Sequence, residues 1–190
     1  MTEASLCEYF ITINPHSALK ERIGQAREFF SRQLDLVRSM PQPGVLICRF
    51  TQLEIAEERI VRNLRDICND TTPFHVAIDG FETRPTHSVL FHLKKNNLLK
   101  FIRSLKAAQR LMKFDNDNKP WFAEDPNIMI ASSLKPWQFE KATTLIAGKS
   151  FRDSFLANNI CIHKKRNGIT EKISMLPLGA KVTPKQQTLF

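Results

Sequence analysis

The sequence predicts an α+β fold: two pseudo-symmetric lobes, each a sheet with helices outside it, around a central cleft. Two observations predict it. Short apolar runs of strand length alternate with segments whose apolar residues recur every three or four positions. The order of these segments also loosely repeats. A β-α-β-α-β-β half is followed by α-β-α-β-β, and each half sets a short apolar strand before a helix, at Gly44 to Cys48 and at Asn127 to Ala131. The repeat is one of topology, not of sequence.

Tyr9-Phe10-Ile11-Thr12-Ile13 reads as the first strand, stopped by Asn14-Pro15. Leu19, Ile23, Ala26, Phe30 and Leu34 follow on one face of a helix. Pro41 and Pro43 punctuate the chain before Val45-Leu46-Ile47-Cys48, a short strand of buried type. Thr51-x-x-Glu54 has the form of a capping box, whose hydroxyl and carboxylate satisfy free N–H groups at a helix start. It predicts a second helix with Ala56, Ile60, Leu64 and Ile67 on one face. Phe74 to Phe81 and Val89 to Leu93 read as two strands joined through Arg84-Pro85. Leu98, Phe101, Leu105, Ala108 and Met112 align along a third helix. Asp115 to Pro126 is polar and bounded by proline, hence a loop. Ile128 to Ala131 is a strand, and Phe139, Ala142 and Leu145 mark a short helix ending at Gly148. Asn167-Gly168, between Ile160-Cys161-Ile162 and Ile169 to Leu176, favours a type I′ hairpin turn.

A chain of 190 residues suits one bilobal domain over residues 1–180 with a loose tail at 181–190. Hydrophobic residues make up 42% and charged residues 25%, which supplies a core and argues against disorder. No apolar run nears the roughly 18 residues of a membrane span. Met-Thr-Glu-Ala-Ser lacks the basic and apolar segments of a secretory signal. The expected setting is the cytoplasm, with no membrane partner. Cys7, Cys48, Cys68 and Cys161 stand far apart without a C-x-x-C pair, which excludes a zinc ribbon and predicts reduced thiols. None of His16, His75, His87, His92 and His163 has tight metal-ligand spacing, so no metal is expected and the histidines read as structural or surface groups. Only six glycines are present, and no phosphate-cradling glycine loop appears among them. Lysine and arginine number 28 against 19 acidic residues, a net charge of +9, which fits a phosphate-bearing partner.

Four segments carry a family resemblance. They are Tyr-Phe-Ile-Thr-Ile-Asn-Pro from Tyr9 into a long helix; Pro43-Gly44-Val45-Leu46-Ile47-Cys48-Arg49-Phe50; Pro73-Phe74-His75-Val76-Ala77-Ile78-Asp79-Gly80-Phe81 with the strand after it; and Asp125-Pro126-Asn127-Ile128-Met129-Ile130-Ala131 with a terminal hairpin. From about Tyr9 to Leu176 the chain resembles the 2H phosphoesterase superfamily, the 2′-5′ RNA ligase-like and cyclic phosphodiesterase-like proteins. The resemblance implies two His-x-Thr/Ser motifs, one per lobe, each on a strand. Residues i and i+2 of a strand point to the same side. Each motif therefore offers an imidazole and a hydroxyl to one phosphate, the imidazoles serving as general base and general acid. It implies no metal and no cofactor.

Both motifs are degenerate here. The first position reads Gly44-Val45-Leu46 and the second Asn127-Ile128-Met129. The cleft floor expected from alternation is Gly44, Leu46 and Cys48 from one strand, with Asn127, Met129 and Ala131 from the other. None of these shuttles a proton near neutral pH. A rival register takes His75-Val76-Ala77 as the first motif. Spacing favours Gly44, which stands 83 residues before Asn127 (127 − 44), whereas His75 stands only 52 before it (127 − 75).

Around this floor, Arg49 directly follows the first strand motif and is a candidate phosphate ligand at the cleft edge, weighed against a plain surface position. His92 and His163 are strand histidines that could face the cleft. Trp121, Phe122 and Trp137 flank the second motif strand, where an aromatic either stacks on a base or closes the core. The resulting expectation is a catalytically inactive 2′-5′ RNA ligase or cyclic phosphodiesterase-like protein that binds RNA ends or a (cyclic) nucleotide. One alternative is an active 2′,3′-cyclic phosphodiesterase or RNA ligase with relocated groups such as His92 or His163. The other is a protein-interaction module whose cleft is filled by Leu46, Met129 and phenylalanines.

Overall fold

The computed structural model describes residues 5–37 and 42–180. The expected tail at 181–190 and the punctuating Pro41 lie outside them. Two antiparallel sheets carry the described residues. The first has the strand order β5-β2-β1-β8-β9 and the second β6-β4-β3-β7. Their strands are β1 (Leu6–Ile13), β2 (Val45–Leu53), β3 (Phe74–Arg84), β4 (Ser88–Leu93), β5 (Trp121–Phe122), β6 (Ile128–Ala131), β7 (Arg152–Ala157), β8 (Asn159–Arg166) and β9 (Ile169–Pro177). The helices are α1 (Ser17–Gln33), α2 (Glu57–Asn69), α3 (Asn96–Leu105), α4 (Gln109–Met112) and α5 (Pro136–Ala147).

β1 shows how one strand sorts its neighbours. Cys7, Tyr9, Ile11 and Ile13 are buried, while Glu8, Phe10 and Thr12 between them are only partly covered. The buried side meets helices: the Tyr9 hydroxyl donates to Glu57 of α2 at 3.1 Å, and Tyr9 stacks on Phe50 at 5.0 Å. The opposite side, on which Phe10 and Thr12 lie, is the open face. The second sheet is sorted the same way. Phe30 of α1 packs on Phe81 at 5.7 Å, and Phe81 stacks on Phe91 at 5.2 Å. Arg27 of α1 reaches the Met129 carbonyl with Nε at 2.9 Å and Nη2 at 2.7 Å. α5 joins this helix layer, with Gln138 donating to the Leu34 carbonyl at 2.7 Å.

The strand and helix expectations for β1, α1, β3, β4, β6, α5 and the β8–β9 hairpin hold. Asn167 and Gly168 have φ of 49° and 80°, the left-handed pair a type I′ turn needs. Four readings need correction. Thr51 does not cap a helix, because β2 runs on to Leu53; Glu54 instead takes Lys164 and Arg166 at 2.9 and 3.0 Å. The third helix breaks at Leu105 into a short 3₁₀ turn before α4. The polar loop from Asp115 contains β5, too short at two residues to show a period. β7, Arg-Asp-Ser-Phe-Leu-Ala, has no strand signature in the sequence, because its exposed Leu156 breaks the apolar alternation.

Candidate functional site

The site is built from the register of the first sheet. Arg49 pairs with Trp121 across β2 and β5, and with Phe10 across β2 and β1. Phe10 pairs with His163 of β8, and His163 with Lys172 of β9. Directly paired residues of antiparallel strands point to the same side. Trp121, Arg49, Phe10, His163 and Lys172 therefore form one row across all five strands on the open face. The row beside it holds Leu46, Thr12, Cys161 and Met175; on the other side run Thr51, Glu8, Lys165 and Thr170.

Charge along the row is cationic. Arg49 and Lys172 are exposed, and among the described residues neither is within an ion pair. Glu8, in the adjacent row, is taken by Lys165 at 3.8 Å. His163 is half-buried, and burial together with the Lys172 ammonium pushes its pKa below the ordinary imidazole value. The Thr12 hydroxyl lies 3.4 Å from His163 Nε2. Imidazole and hydroxyl thus meet across two strands, next to Leu46.

Two irregularities decide which predicted residues share this face. Ile11 faces Cys48 while Thr12 faces Leu46, so Ile47 is an extra residue on β2. Leu90 faces Met129 while Val89 faces Ala131, so Ile130 is an extra residue on β6. Each bulge falls directly after the second motif position of its strand. A one-residue insertion flips every later side chain to the other side. Leu46 and Met129 stay on the open faces, half-buried, but the expected floor residues Cys48 and Ala131 do not. Cys48 is 0% exposed with Sγ 4.0 Å from Met112 Sδ, and Ala131 is 1% exposed opposite Val89. The same bulge is what returns Arg49 to the open face.

Gly44 lies against the first turn of the molecule. A Cβ there would come 2.5 Å from Asn14 Oδ1. Asn127 is half-buried, its Nδ2 donating to the Asp125 carbonyl at 3.0 Å. Asp125 is itself held by Lys95 and Arg84, whose charges and hydrogen bonds outweigh burial and lower its pKa. The two motif strands are tied together at their edges. Ala123 N donates to the Ile47 carbonyl at 3.0 Å, and Asn127 follows four residues later, a reach of about 14 Å at most.

His92 stands on the open face of the second sheet with Glu82, Leu90 and Met129, its Nδ1 3.1 Å from Glu82 Oε2. Trp137 does not join either face: it is 48% exposed on the first turn of α5, within the helix layer. The indole on the open face is Trp121, 45% exposed. Sequence reasoning misses Phe10 and Lys172. The signal for Phe10 is present, since Glu8-Phe10-Thr12 alternates against the buried Tyr9, Ile11 and Ile13. All four cysteines are buried and unpaired. Among the described residues no group of three or more His, Cys, Asp or Glu side chains is placed to hold a metal, and no helix is long and apolar enough to cross a membrane.

The architecture is the LigT-like fold of the 2H phosphoesterases. E. coli LigT complexed with 3′-AMP superposes with a TM-score of 0.65 at 12% identity, covering 92% of this chain and 99% of that one. A protein described as a phosphoesterase gives 0.63 at 14% identity over 90% and 98%, and the Thermus thermophilus protein TT0787 gives 0.62 at 11% over 92% and 99%. No protein-family profile and no curated protein matches the sequence.

Proposed function

We propose that the protein binds an RNA end or a (cyclic) nucleotide on the open face of its first sheet and lacks two-histidine phosphodiester chemistry. The observation that carries this is the content of the motif positions. Gly44, Leu46, Asn127 and Met129 include no group that moves a proton near neutral pH. A general acid and a general base each contribute about 10²–10⁴-fold, so the loss of both removes most of the rate. Binding groups remain: Arg49 and Lys172 for phosphate, Phe10 and Trp121 for a base. LigT, of the same fold, is known in complex with 3′-AMP, which supports a nucleotide as ligand. Four unpaired thiols support a cytoplasmic setting.

The test is a short RNA ending in a 2′,3′-cyclic phosphate, followed by fluorescence anisotropy for binding and by chromatography for turnover. Binding without product is expected, weakened at least tenfold by Arg49→Ala. Absence of binding overturns the ligand and favours the interaction module; product formed by the natural protein overturns the loss of catalysis. A second reading rests on the Thr12–His163 pair, an imidazole beside a hydroxyl one strand from the degenerate motif. If product does form, His163→Ala abolishes it on that reading and leaves it unchanged otherwise.

A further inference from the structure

We infer that the open face holds a single strand of RNA lengthwise across the five β-strands, and that the strand needs no free end. This rests on the nucleic-acid reading above and extends it from an end to a polymer. Neighbouring strands lie about 4.8 Å apart, so the row from Trp121 to Lys172 extends about 19 Å. Trp121 and Phe10 are two strands apart, about 10 Å, and lie side by side on one surface. Rings placed so cannot sandwich one base; they offer platforms to two. Arg49 stands between them, where the phosphate linking two bases would pass. Lys172 lies three strands from Arg49, about 14 Å, too far to serve the same phosphate.

A mononucleotide has one base and one phosphate locus. The row has two rings and two separated cations without acidic partners among the described residues. Hydroxyls of Thr12, Thr51 and Thr170 line it on both sides. The single carboxylate in the adjacent row, Glu8, is neutralised by Lys165. Aromatic platforms in a cationic track bind single strands with little regard to sequence, because every base has a stacking face. Neither the rings nor the cations in the row require a terminal phosphate.

The experiment uses the full chain carrying Trp137→Phe, which leaves Trp121 as the fluorescent reporter on the open face. The probes are uridine 5′-monophosphate, a linear ten-nucleotide uridine RNA, and its covalently closed circle. The circle and the linear RNA are expected to quench Trp121 with affinities within about threefold, and the monophosphate to bind at least 100-fold more weakly. Each phosphate contact contributes about −0.7 to the slope of log affinity against log salt for single strands. Arg49→Ala and Lys172→Ala should each reduce the slope by about 0.7, and Phe10→Leu should weaken binding without changing it. Far-ultraviolet circular dichroism checks that each variant is folded. A circle that fails where end-bearing RNA binds overturns the inference and leaves the proposed function standing. Circle binding with an unchanged slope in both cation variants also overturns it, by placing the strand elsewhere. Failure of every probe overturns both.

Discussion

His163 is the one titratable group in the row near neutrality. Phe10 and Thr12 face it from β1 and Lys172 from β9, with Lys165 and Glu8 one step along. Its lowered pKa means that the folded protein keeps the ring neutral until the pH falls below the ordinary imidazole range. The unfolded chain protonates first, so this group withdraws stability as pH falls through its unfolded pKa and costs nothing above it. On the open face the charge, once gained, favours phosphate. RNA affinity measured by anisotropy should therefore rise as pH is lowered from about 7.5 to about 5, beyond any rise shown by His163→Gln. An identical profile in that variant would remove His163 from the binding face. The residue scale also explains why a motif cannot be rebuilt by substitution alone. Gly44→His must first turn Asn14 away, since its Oδ1 crowds the position of a Cβ. His163 is legible from sequence because strand position places it, whereas Arg49 reaches the open face only through the extra residue Ile47. Cys48 and Ala131 are misplaced when alternation is counted through bulges that no residue type announces.

At the scale of elements, a buried lysine pins β8 to the entry of α2. Lys164 is paired with Tyr9 on the helix side of the sheet, with Nζ 2.9 Å from Glu54, 3.1 Å from Glu57 and 3.5 Å from Glu171. The hydrogen bonds and charges of Glu54 and Glu57 outweigh burial and raise its pKa above the lysine range. Removing the ammonium leaves these carboxylates facing one another and the Tyr9 hydroxyl. Lys164→Met should lower stability by about 2 kcal/mol in urea denaturation, and adding Glu57→Gln should recover part of it. No loss in the single variant would show that the cluster is solvated. The sequence presents Lys164 as part of a basic run with Lys165 and Arg166, a solvated face by composition. Its burial follows from strand phase, since it falls on the same side as Ile160 and Ile162.

The whole molecule is not two lobes in series. Within the described residues the chain passes between sheets four times: from β2 to β3, from β4 to β5, from β5 to β6 and from β7 to β8, the last across Asn158 alone. Neither sheet is closed by a continuous half of the chain. Urea unfolding should therefore be a single transition, with tryptophan fluorescence and far-ultraviolet dichroism coincident; two separated transitions would show independent lobes. The α+β class and most strands are readable because periodicity is local. The binding face is not, because its five residues at positions 10, 49, 121, 163 and 172 are neighbours only through backbone pairing. That pairing row has a thermodynamic corollary. A guest held by all five residues spans every strand of the first sheet at right angles to the chain, and it binds only while the strands keep their alignment. Occupancy then acts as a transverse tie on the sheet, adding about 2.7 kcal/mol to the folded state at a hundred times the dissociation constant. The empty protein is the form in which that alignment rests on its own ladder alone.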